Sequence, residues 1–164
     1  MSDFESALQA KLARNAEIAE ERVRAEEEMD RAAADAEEAE RRRAADLSTA
    51  QRARHDELTG HLRRVADSLK LASPDAFVVR MGWTESGEEF IAKISTRQLE
   101  PARSLLVELD RDDDEVLARW SSAVGNTLEL WRLLEVTPEL LTELVLQVAD
   151  QDLWRRAAAP PPFP

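Results

Sequence analysis

The sequence predicts an α+β protein: a long, charged, coiled-coil-like N-terminal helix, then a small antiparallel β-meander of four or five strands covered by a C-terminal helix. Three observations carry this. Residues 1–59 contain neither glycine nor proline, and charged residues interleaved with alanine fill much of that stretch. From Phe77 onward the apolar residues change from helical spacing to strict alternation. Finally, Thr137-Pro138-Glu139 combines a capping hydroxyl, a proline suited to the first helical position and an early acid, all ahead of an apolar run.

The first element is supported by acid-then-base pairs at i,i+4: Glu20 with Arg24, Glu27 with Arg31, Glu37 with Arg41 and Glu38 with Arg42. Each such pair stabilises a solvated helix by about 0.2–0.5 kcal/mol. An apolar stripe runs through Leu12, Ala16, Ala19 and Val23, and another through Leu58, Leu62, Val65, Leu69 and Ala72. Between them the stripe thins to Met29, Ala33, Ala36, Ala44 and Leu47, with Glu40 intruding. A sustained coiled coil needs large apolar residues throughout its seam. Three arrangements fit the broken one: a weak parallel dimer closed at its two ends, a helix that folds back or packs partly on the globular domain, and a lone charged spacer. In the first, Leu12, Val23, Leu58, Leu62, Val65 and Leu69 are the oligomerisation residues. Leu58, Leu62 and Val65 keep helical spacing across Gly60, so the helix is expected to continue past that glycine.

Ser73-Pro74 ends the helix, because the residue before proline is pushed toward extended geometry. The expected organisation is therefore a helical arm over 1–72, an acidic α+β domain over 73–156 and a proline-rich tail over 157–164. Phe77, Val79, Met81 and Trp83 share one strand face, followed by Phe90, Ala92 and Ile94, by Leu105, Val107 and Leu109, and by Val116, Ala118 and Trp120. Short links with turn chemistry, Glu85-Ser86-Gly87 and Asp110 to Asp114, favour antiparallel pairing. Residues 127–136 fit either a fifth strand or a helix opened by a capping box at Asn126 and Glu129; the strand is preferred. Leu140, Leu141, Leu144, Val145 and Val148 then form the helix that covers the sheet.

Composition limits function. The chain has 164 residues, no cysteine and a net charge of −12. It carries 17 acidic and 13 basic residues up to position 72, and 17 and nine beyond it, so the globular part is the acidic part. Such a surface repels phosphate backbones and anionic lipid, and neither a nucleic-acid nor a membrane partner is expected. No thiolate metal site or disulfide framework can form. The early residues lack the apolar core of a secretory signal, which predicts a cytoplasmic protein.

No residue constellation predicts catalysis, and no cofactor is expected. Asp110-Arg111-Asp112-Asp113-Asp114-Glu115 starts like a calcium loop, but Glu115 and Ser121 stand where that loop needs glycine and a bidentate glutamate. His55 and His61 lie six apart, which is not the i,i+4 spacing of a helical zinc pair, and both are expected to be exposed. Trp131, Trp154, Arg155 and Arg156 are the candidate partner-binding residues, since tryptophan and arginine are favoured at binding hot spots. Trp83 and Trp120 are assigned to the core. Pro161 and Pro164 satisfy a PxxP spacing, and the tail is expected to fray. The function expected is a non-catalytic interaction or adaptor protein, its arm dimerising or spacing and its acidic domain holding a protein partner. A scaffolding subunit of a larger assembly, or a small metal-dependent factor built on Asp110–Glu115, are the alternatives.

Overall fold

The computed structural model describes residues 2–164. Helix α1 runs unbroken over Asp3–Ala72 and is followed by five strands: β1 (Phe77–Trp83), β2 (Glu89–Thr96), β3 (Arg103–Asp110), β4 (Glu115–Ser122) and β5 (Gly125–Trp131). A single 3-10 turn at Leu133–Glu135 leads to α2 (Pro138–Ala149) and a short α3 (Gln151–Arg155). The strands form one antiparallel sheet in sequence order, β1-β2-β3-β4-β5. The preferred fifth strand is realised, and the capping-box reading of 126–129 is not. Thr137 caps α2 as its sequence implies, accepting the Leu140 amide at 3.4 Å.

Register explains why one face of the sheet is buried. Three cross-strand rows point inward: Val79–Ile94–Leu105–Trp120–Thr127, Met81–Ala92–Val107–Ala118–Glu129 and Trp83–Phe90–Leu109–Val116–Trp131. The middle row carries the small alanines. Leu58, Leu62 and Ala66 of α1 and Leu141, Leu144, Val145 and Val148 of α2 complete the core over these rows. Each row ends on β5 in a residue that is exposed or half-buried, so the cover thins out at the last strand.

The chain divides into two compact units inside α1, at Leu47/Ser48, where the sequence placed the division at Ala72/Ser73. The reason lies in the second apolar stripe. His55, Leu58, Thr59, Leu62 and Ala66 are all buried, and Val65 and Leu69 pack against the same core, so the C-terminal part of α1 is one of the two helical covers of the sheet. For that stripe the helix packs partly on its own domain, without folding back, and this corrects the assignment of Leu58 and Leu62 to an oligomer seam: both are fully buried in their own chain. Gly60 interrupts nothing.

Candidate interaction surfaces

Residues 2–47 form a unit of helix in which every side chain is exposed except the half-buried Ile18. The open positions include Phe4, Leu8, Leu12, Val23, Met29 and Leu47, with Leu12 57% and Val23 53% exposed. Charge pairs along the surface are local: Arg14 with Glu17 and Arg42 with Glu38, both at 3.0 Å, and Arg43 with Glu40 at 2.5 Å. Exposed pairs of this kind add only tenths of a kcal/mol each. They keep the helix solvated without filling its apolar stripe.

A second surface lies along β5 and the chain end. Leu128 is 57% and Leu130 48% exposed, while Trp131 is half-buried. The expected frayed tail is instead seated. Pro160 to Pro164 line a cavity of about 370 Å³ together with Thr127, Leu128, Glu129 and Trp131. Phe163 stacks on Trp120 at 6.1 Å and 15°, and meets Trp131 edge-on at 6.0 Å and 85°. The side chain of Gln147 donates to the Pro162 carbonyl at 3.0 Å, and Pro161 is buried. The tail therefore covers the part of the inner face that α1 and α2 leave open. Phe163 is the groove residue that sequence reasoning passed over; the unpaired end of the Trp83–Trp131 row was the available signal.

The remaining candidates separate. Trp154 is fully buried, edge-on to Trp120 at 5.2 Å, with its indole N–H donating to the Gln147 carbonyl at 2.8 Å. Its assignment to partner binding is thus corrected: the ring packs inward because α3 is a separate short helix begun by Asp150, whose carboxylate accepts the Leu153 amide at 3.1 Å. Arg155 and Arg156 are exposed, and Arg155 pairs locally with Asp152 at 3.0 Å. The sequence grouped these four residues, but only Trp131 lies in the groove.

Two further assignments change. Trp83 is 44% exposed, because it closes its row on the edge strand β1. His55 is wholly buried rather than exposed, 5.7 Å from the Trp83 ring. Its Nε2 lies 2.9 Å from the Leu109 carbonyl, which can only accept, so that nitrogen carries the proton; Nδ1 has no partner among the described residues. His61 reaches the Thr142 hydroxyl at 2.7 Å and ties α1 to α2.

The acidic turn is organised around backbone and arginine. Asp110 Oδ1 accepts the amides of Asp112 and Asp113 at 3.1 and 3.2 Å, and Asp114 Oδ1 accepts the Leu133 amide at 3.1 Å. Arg111 holds Glu88 at 2.6 Å. That bond draws the Glu88 pKa below its ordinary value, whereas the neighbouring carboxylates, Glu88 beside Asp112 and Asp110 beside Asp113, push both aspartates up. Among the described residues no three His, Cys, Asp or Glu side chains converge as a metal site would require.

The chain matches no family model, no curated protein and no solved structure. Its surfaces must speak for themselves. Among the described residues no helix is long and apolar enough to cross a membrane.

Proposed function

We propose that this protein is a non-catalytic interaction protein: residues 3–47 pair with the same segment of a second copy, and the 48–164 unit holds a protein partner. One observation carries the reading, the apolar stripe of Leu8, Leu12, Val23, Met29 and Leu47 that lies exposed along a stretch of helix free of glycine and proline. A solvated helix gains nothing from such a stripe, whereas a paired one buries it at about 1.5–3 kcal/mol per large side chain. Two copies bury ten such residues, about 15–30 kcal/mol in all, and association costs about 4–15 kcal/mol; a surplus of about 8 kcal/mol, toward the lower end of that difference, makes the dimer weak and micromolar. The interruption by Glu40 keeps it so.

Sedimentation velocity with light scattering on the full chain and on a chain beginning at Ser48 tests this. The full chain is expected to go from monomer to dimer over micromolar concentrations while the shorter chain stays monomeric. Two monomers at every concentration would overturn the pairing of the helix.

A further inference from the structure

We infer that the groove at β5 is a docking site for a proline-flanked aromatic segment of a partner protein, and that the chain's own Pro160–Pro164 is its resident stand-in. The inference rests on the reading of the 48–164 unit as a partner-binding module and names the chemistry of the partner. Its occupant is argued from what sits there. The seat is aromatic, with the Phe163 ring against Trp120 on one side and Trp131 on the other. Extended proline segments have no internal hydrogen bonds, and they are read by aromatic grooves that also supply a donor to a carbonyl. Gln147 supplies that donor to Pro162.

Pro160 packs against the start of β5: Gly125 holds φ 127°, a conformation that favours glycine, and Pro160 Cδ lies 3.4 Å from where a Cβ would stand, an ordinary contact distance. The tail nonetheless holds its place weakly. Among the described residues the Gln147 contact is its one side-chain hydrogen bond, and the Trp120 indole N–H, in the ring on which Phe163 stacks, is buried without an acceptor. A partner segment carrying the same aromatic and prolines competes with a ligand that leaves this donor unpaired. An intramolecular occupant lowers the apparent affinity for a competitor by the fraction of molecules in which the groove is open.

A fluorescein-labelled peptide of sequence AAPPPFP, matching residues 158–164, is titrated by anisotropy against the full chain and its Phe163→Ala variant. The variant is expected to bind about tenfold or more tightly than the unaltered chain, because its groove is vacated. Adding Trp131→Ala should abolish that binding, and a peptide with alanine in place of phenylalanine should not bind at all. Gln147→Ala takes the same donor from the tail and from the peptide, so its binding should stay close to that of the unaltered chain, and circular dichroism establishes that each variant is folded. Equal binding by both chains, or binding by neither, would overturn the inference. So would exchange of tails between copies, seen as a dimer of the unaltered chain that Phe163→Ala dissociates, since the occupant would then be a second copy. None of these results bears on the helix, whose pairing is judged by sedimentation.

Discussion

Arg103 shows how a single side chain can fix two elements. It is 3% exposed on β3, and its Nε and Nη2 donate to the Val148 carbonyl at 3.1 and 2.9 Å, while Nη1 reaches the Pro101 carbonyl at 3.1 Å and Gln151 Oε1 at 2.8 Å. Burial draws its pKa below the usual arginine value, opposed by the charge of Asp150. Among the described residues no carboxylate bonds to it; its counter-charge is the carbonyl-rich end of α2, where a cation is favoured. The fork fills this site in a way that an ammonium cannot. Arg103→Met is expected to lower stability by about 2–4 kcal/mol, because carbonyls left buried and unpaired cost about 1–3 kcal/mol each. Arg103→Lys should recover little, and urea unfolding followed by circular dichroism measures both. Nothing in the sequence marked this arginine. It stands at the start of an alternating strand, and its partners lie 45 and 48 residues away.

At the scale of elements, α1 buries residues between His55 and Ala66 and is exposed, but for Ile18, over residues 3–47, and substitution separates the two parts. Leu62→Ala opens a cavity under the sheet and should cost about 2–5 kcal/mol. Leu12→Ala, on the exposed stripe, should leave the melting of the 48–164 unit unchanged. Gly60→Ala should stabilise by about 1 kcal/mol, the helix-propensity difference between the two residues. The added methyl would meet only the mobile end of Arg64, at 3.4 Å. A melting temperature that falls instead would show that the glycine is needed. The four alternating strands, the fifth strand and the capped α2 were all legible, because period and turn chemistry are local properties. The duty of the second apolar stripe was not. Leu58, Leu62, Val65 and Leu69 have the same spacing whether they face a second copy or their own sheet, and only the three-dimensional placement of the sheet decides between these. The seated tail was hidden for a related reason: the place Phe163 fills is created by β5 extending beyond its helical cover.

For the whole molecule, charge sets how stability responds to acid. Glu89 is raised by burial and by neighbouring Glu108, and Asp112 and Asp113 are raised by their carboxylate neighbours. A carboxylate with a raised folded pKa binds protons more readily in the folded state, so its contribution to stability falls as pH rises through that range. Glu88 works in the opposite direction: its pKa is lowered by Arg111, so its contribution is present above the ordinary glutamate pKa and is lost as pH falls through the depressed value. Moderate acidification from neutrality should therefore raise the melting temperature of the sheet unit before stronger acid lowers it. Asp113→Asn should raise the melting temperature at pH 7 and flatten its rise as pH falls into the carboxylate range; an unchanged profile would remove the carboxylate crowding from the account. The acidity of this part of the chain was legible from its composition, whereas the bonds that divide the turn between Arg111 and backbone amides were not, because Glu88 and Leu133 come from neighbouring elements. The four tryptophans also all lie between residues 83 and 154, and the chain has no tyrosine. Near-ultraviolet absorption and intrinsic emission therefore report on the sheet unit alone, while the N-terminal 47 residues, with Phe4 as their one aromatic, are spectroscopically silent there and visible mainly in helical ellipticity. In a single unlabelled sample, a loss of ellipticity with no change in tryptophan emission thus reports melting of the N-terminal unit.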